Sequence, residues 1–203
     1  MKKYLILLAG SPATGKSYLI SQLMEKLSPT VLITPDDIKE TLADNVGFDN
    51  LTQKAELEVD VWQFYYQLLD SYMRMGKRYV LSEYPFSDKQ KMKLKILAAT
   101  YQYEVITIRL DADFETLWQR RQKRDVQLDR HLSHIMSHYH FGDVLSDRTE
   151  ADNHITRDAF FDIVTKRAYN QFQLGKLFEL DVTDFSKVDY PTFINGLIEY
   201  LQK

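Results

Sequence analysis

The chain has 203 residues, of which 44% are hydrophobic and 27% charged, ordinary globular usage that excludes long disorder and allows a single domain, 1–203, with at most a modest insertion. Its 26 basic and 29 acidic side chains leave a formal charge of −3, so no global basic field exists to hold a nucleic-acid duplex. Cysteine is absent, which excludes disulfides, thiolate metal sites and cysteine nucleophiles and fits a reducing compartment.

The first element is Tyr4–Ala9, an apolar run that reads as a strand buried on both faces of a parallel sheet. Behind Lys2-Lys3 it loosely imitates a secretion signal, but it is too short for one and leads straight into a phosphate-loop pattern. No other run approaches the roughly 18 apolar residues of a membrane span. The expectation is a cytoplasmic protein with no membrane contact. Lys16–Leu27 has apolar residues at helical spacing and is closed by Pro29, and Val31–Ile33 is a second short strand. Thr34-Pro35-Asp36-Asp37 is a helix start, with Thr34 as cap, Pro35 at the first helical position and two acids against the positive end of the dipole; the helix is expected to run to about Ala43, before a turn at 44–50.

Thr52–Met75 reads as one long helix stopped by Gly76, followed by an apolar strand Tyr79–Ser82 that ends at Glu83. Ser87–Tyr101 reads as a helix, Glu104–Leu110 as a strand and Phe114–Arg124 as a helix. Residues 126–155 are polar, hold all five histidines and are expected to form a helical lid or insertion. A helix capped by Thr156 should run to about Leu174, with a last strand at Leu177–Leu180 and a closing helix at Tyr190–Leu201. The alternation predicts an α/β fold: a five-stranded parallel sheet sandwiched by helices in three layers, with ligands at the carboxyl ends of the strands.

Gly10, Ser11, Pro12, Ala13, Thr14, Gly15, Lys16 and Ser17 follow G-x-x-x-x-G-K-[ST] without a departure, between a predicted strand and a predicted helix. In that setting backbone N–H groups and the helix N-terminus face an anion. Lys16 is expected to bridge the β- and γ-phosphates of ATP, the Ser17 hydroxyl to hold Mg²⁺, and Tyr18 to join the nucleotide site as the next residue. A guanine-reading [NT]-K-x-D is missing, as is the Asp-Glu strand end of mechanical ATPases. A small kinase fits better.

Asp36 and Asp37 fall at the same sheet end as the loop. Either can accept the proton of an attacking hydroxyl, or both can simply serve the helix N-terminus, with Asp37 capping reciprocally against Thr34. Glu83 can reach Mg²⁺ or orient the acceptor, or be a solvated loop acid. Arg120 and Arg124, with Arg121 between them, share a helical face from which guanidinium groups can clamp transferring phosphate oxygens; the alternative is a solvated basic face. His131, His134 and His138 fall near one face of a possible helix without a metal-binding spacing, which leaves acceptor recognition or plain surface as their role. Trp62, Phe64, Tyr65, Tyr66 and Tyr72 are expected to mix core packing with one wall of an acceptor pocket.

Over residues 1–125 these motifs resemble the kinase branch of P-loop proteins that includes phage polynucleotide 5′-kinase, zeta toxin and chloramphenicol phosphotransferase. The resemblance rests on Gly10–Ser17, on Thr34-Pro-Asp-Asp-Ile-Lys39, on the strand ending at Glu83 and on Arg120-x-x-x-Arg124. It implies that Asp36 acts on the acceptor hydroxyl, that Arg120 and Arg124 are lid arginines, and that Lys39, in place of an arginine, contacts the acceptor; Glu83 stands where the family has aspartate. The implied activity is ATP- and Mg²⁺-dependent phosphoryl transfer to a small-molecule or nucleotide-like acceptor by a monomer or homodimer. The alternatives are a polynucleotide 5′-end kinase, using local cation clusters such as Lys89–Lys95, and a regulatory module that hydrolyses ATP slowly.

Overall fold

The computed structural model describes residues 2–202. Five strands, β1 (Tyr4–Ala9), β2 (Thr30–Ile33), β3 (Tyr79–Glu83), β4 (Glu104–Asp111) and β5 (Lys176–Asp181), form one wholly parallel sheet in the order β2-β3-β1-β4-β5. Every residue of β1 is buried, as the uninterrupted apolar run requires of a central strand covered on both faces. Chain order reverses around β1, so the crevice at its carboxyl end is a topological switch point.

One face of the sheet is covered by α1 (Lys16–Lys26) and α7 (Tyr190–Gln202), whose Leu19, Leu23, Ile194 and Leu197 pack on Ile6, Leu8 and Ile108. The other is covered by α3 (Leu51–Arg74) and α4 (Asp88–Thr100), with Tyr65, Leu69, Met73 and Leu94 against Leu5, Leu7 and Val80. Tyr65 is buried and its hydroxyl hydrogen-bonds Ser82 Oγ at 2.8 Å, while Trp62, Tyr66 and Tyr72 pack half-buried on the same layer. Phe64 is 47% exposed and belongs to neither core nor pocket.

α2 (Pro35–Val46) continues one turn past the expected Ala43, stopping at Gly47, whose φ of 73° and closeness to the His140 ring leave no room for a Cβ. α5 (Phe114–Asp125) has Asp113 as its cap, accepting from Thr116 N at 2.9 Å. α6 (Arg157–Arg167) ends well before Leu174. Ala168 turns into the left-handed region at φ 47°, and a 3-10 turn at Tyr169–Gln171 delivers Tyr169 and Phe172 to buried positions, Phe172 stacking on Phe86. Core packing overrides a helical pattern that carries no local stop.

Residues 126–155 contain no α-helix, only the 3-10 turns Leu132–His134 and Arg148–Glu150. Local side-chain bonds explain this: His131, Asp143 and Asp147 each accept from a nearby backbone N–H, an alternative to the helical ladder. Of the three histidines expected on one helical face, His131 and His134 stay adjacent, their rings 6.3 Å apart and each bonded to an acid of α2, while His138 turns to Asp152. The segment folds back on α2 and α3, where Phe48 and Tyr139 exchange backbone hydrogen bonds at 2.8 and 2.7 Å. Leu132, Ile135 and Tyr139 bury themselves among Ala43, Leu57 and Val61. Full burial of such side chains contributes about 1.5–3 kcal/mol each, enough to hold an irregular segment in place. Lys54 on α3 adds a bond to Met136 O at 2.8 Å.

Candidate active site

The loop after β1 is built by backbone geometry. Gly10 has φ 125°, and a Cβ there would lie 2.1 Å from Leu110 O, so only glycine lets β4 pass this close. Ala13 and Gly15 are also left-handed, at φ 71° and 81°, and Thr14 Oγ1 ties the loop by donating to Ser11 O at 3.0 Å. Gly15 then leads into α1 without a side-chain cap, so the first-turn N–H groups are left for a ligand.

Lys16 is 5% exposed and donates from Nζ to Gly10 O at 3.2 Å and Ser11 O at 3.0 Å. Burial holds its pKa down to about 8, against the opposing pull of Glu83 and Asp36. The parallel register of β1 and β3 places Leu8 beside Glu83, which puts that carboxylate at the mouth of the loop. The Ser17 hydroxyl contacts both Glu83 oxygens at 3.1 Å. Burial raises the Glu83 pKa, with Lys16 and the Ser17 bond opposing it.

Asp36 and Asp37 arrive at the same cavity from the first turn of α2. Thr34 Oγ1 accepts from the Asp37 backbone N–H at 3.0 Å, but neither carboxylate accepts a hydrogen bond among the described residues, so the expected reciprocal cap is one-sided. Lys39 also lines the cavity, its ammonium 2.5 Å from Glu58 Oε1 on α3.

The two arginines on one face of α5 diverge. Arg120 donates to Val182 O at 2.8 Å and Thr183 O at 2.9 Å and lies 3.6 Å over the Phe185 ring. Phe185 in turn covers Gly15, where a Cβ would meet its ring at 3.1 Å. Arg124 bonds the buried Asp125, as does Arg121, at 3.1 and 3.0 Å.

All these parts border one cavity of about 860 Å³: the loop residues Pro12, Ala13, Gly15, Lys16 and Ser17, the acids Asp36, Asp37 and Glu83, and Lys39, Arg120 and Arg124. Gly10, Ser11 and Thr14 lie buried behind the loop surface. Tyr18 is 55% exposed and leans edge-on against Tyr190 of α7, outside the cavity. The aromatic group on α3 does not line it either; Tyr84, backed edge-on by Trp62 at 4.9 Å, does.

Sequence reasoning did not single out Arg130, Tyr84 or Phe185, and it left His134 between acceptor recognition and plain surface; all four line the cavity. His134 Nε2 sits 2.7 Å from Glu40 Oε1, and burial together with Arg130 lowers its pKa to about 3, leaving it neutral. The signal for Arg130 and His134 was the polar, histidine-rich composition after α5. For Phe185 no local signal exists.

Residues 5–138 match the family described as an AAA domain. No curated protein matches the chain. A candidate kinase of Chloroflexus aurantiacus shares the fold with a TM-score of 0.73 at 22% identity, over 98% of both chains. A gluconokinase of Sinorhizobium meliloti 1021 gives 0.53 at 11% identity, over 97% of this chain and 94% of its own. A chain of the Pnkp1/Rnl/Hen1 RNA repair complex gives 0.55 at 16% identity, over 86% of this chain and 47% of its own. At these identities the likeness is one of fold. No helix among the described residues is long and apolar enough to cross a membrane.

Proposed function

The chain belongs to the AAA-domain family, and from that premise we propose that it is a P-loop kinase that transfers the γ-phosphoryl group of ATP to a hydroxyl of a small-molecule or nucleotide-like acceptor. The carrying observation is that Lys16, the Ser17–Glu83 contact and the unbonded Asp36 carboxylate border one cavity.

Each part has a physical task. The loop N–H groups and the N-terminus of α1 receive the β-phosphate. Lys16 exchanges its two carbonyl partners for the β- and γ-phosphate oxygens, and a triphosphate beside it restores the charge that burial disfavours. The Ser17 hydroxyl and Glu83 carboxylate are hard oxygen donors close enough to serve one ion, which fits Mg²⁺, a cation that takes one or two protein oxygens and fills its shell with water and phosphate. When bound there, Mg²⁺ neutralises charge on the β- and γ-phosphates. The Arg120–Phe185 pair beside Gly15 offers a flat surface for the base.

Asp36 accepts the acceptor's hydroxyl proton as that oxygen attacks the γ-phosphorus; the bond to the bridging oxygen breaks and ADP leaves. Arg124 steadies the charge on the transferring oxygens. Residues 126–155 act as a cover, carrying Arg130 and His134 to the cavity wall.

The test is transfer of radiolabelled γ-phosphate to a library of hydroxyl metabolites and 5′-hydroxyl oligonucleotides, with Lys16→Ala as control. Transfer to a metabolite supports the proposal. Transfer confined to oligonucleotides makes the protein an end kinase, and hydrolysis without transfer makes it a regulatory nucleotide-binding module.

A further inference from the structure

Arg130 is a charged group of the cavity whose guanidinium no described protein group hydrogen-bonds. Its side chain is 17% exposed, yet its guanidinium makes no hydrogen bond among the described residues; Nε is buried without a partner, and Asp125 Oδ1 lies 3.7 Å away. Asp125 is already bonded by Arg121 and Arg124. Three guanidiniums around one carboxylate leave a local excess of positive charge in a desolvated place, where an unsatisfied cation is costly. Burial and the neighbouring Arg124 pull the Arg130 pKa down to about 10. With Asp125 shared among three guanidiniums, Arg130 lacks an anion of its own.

Its place indicates which anion. His134 Nε2 lies 2.7 Å from Glu40 Oε1, one turn along α2 from Asp36, and Arg130 lines the same cavity. Asp36 and Arg124 act on both Lys16 and His134, whereas Arg130 is the strongest charge on His134 and is not among those that act on Lys16. Arg130 therefore stands toward His134 rather than toward the phosphate loop, where an acceptor presenting its hydroxyl to Asp36 would extend. Other nearby cations are occupied, Lys39 by Glu58 and Arg120 by backbone carbonyls.

Resting on the phosphotransferase reading above, we infer that the acceptor carries an oxyanion, a phosphate or a carboxylate, which Arg130 binds while the acceptor hydroxyl faces Asp36. A neutral alcohol would leave the guanidinium unpaired inside a closed site and is discriminated against for that reason. The planar fork of arginine suits either oxyanion bidentately.

Calorimetric titration of inorganic phosphate, and separately of acetate, into protein saturated with AMP-PNP·Mg²⁺ tests this, because the phosphate loop is then filled. The parent is expected to bind one of the two anions, and Arg130→Gln to weaken that binding about 10-fold or more, the scale of a lost charge-assisted contact. Arg130→Lys should fall between them, and AMP-PNP affinity should be equal in all three. Preference for phosphate assigns a phosphorylated acceptor, and preference for acetate a carboxylated one. Absence of binding to the parent, equal anion binding by Arg130→Gln, or a proportionate loss of AMP-PNP affinity overturns the inference. Failure of AMP-PNP to bind the parent overturns the phosphotransferase reading instead, since anion binding without nucleotide can still be compared between parent and Arg130→Gln.

Discussion

Lys16 carries a stability cost that its removal should expose. Its pKa stands at about 8 where an unburied lysine has 10.5, and at about 1.4 kcal/mol per pKa unit the charged form in the folded protein costs about 3 kcal/mol. Lys16→Met keeps the apolar stem and removes that cost. It also leaves Gly10 O and Ser11 O without their donor, a loss of about 1 kcal/mol each. At pH 7 the variant should therefore be about 1 kcal/mol more stable than the parent in the absence of nucleotide. The sign follows from linkage: below pH 8 both folded and unfolded parent hold the proton and the full cost is present. Between about 8 and 10.5 the unfolded chain holds more protons, so parent stability rises with pH. By pH 9.5 the parent recovers about 2 kcal/mol and should become the more stable of the two. Urea denaturation of both proteins at pH 7 and 9.5 measures this difference, in which titrating groups that do not interact with Lys16 cancel. With ATP·Mg²⁺ at pH 7 the parent alone should be stabilised. A stability difference that stays the same at both pH values refutes the claim that Lys16 is held as a desolvated charge.

The two acids opening α2 should separate. Asp36→Asn is expected to reduce transfer roughly 100-fold or more with little change in melting, and Asp37→Asn to cost about 0.5–1 kcal/mol of stability with activity kept; kinetics and melts giving the reverse pattern move the base to Asp37. Glu83→Gln keeps an oxygen for Ser17 but removes the charge, so the Mg²⁺ concentration for half-maximal activity should rise about 10-fold or more. An unchanged Mg²⁺ titration removes Glu83 from the ion site. Ala13 sits at φ 71°, where a non-glycine residue costs about 1–2 kcal/mol and glycine costs about 0.4–1 kcal/mol through the unfolded chain. Ala13→Gly should raise stability by about 0.5–1 kcal/mol, and a lower urea midpoint shows that the loop is not strained there.

What the amino-acid order determined on its own is whatever depends on contiguous residues. The phosphate loop was legible because eight neighbouring residues carry both its backbone turns and its cation, and the start of α2 because Thr34, Pro35 and the two acids act within one turn. The buried strand β1 announced itself by an unbroken apolar run, and the α/β alternation implied the parallel sheet. Tertiary structure decided the rest. Glu83 meets Ser17 across 66 positions only because β3 pairs in register with β1. Phe185 reaches Gly15 from the loop beyond β5, and α6 stops at Arg167 because the core takes Tyr169 and Phe172. Arg130 and His134 came to the cavity on a segment whose helix-like composition lost to Asp and His side chains bonding nearby backbone N–H groups and to the Phe48–Tyr139 bridge. Local propensity is read from neighbours in the chain, whereas a site is assembled from neighbours in space, and the free energy that brings these together is burial, which no short window of sequence contains.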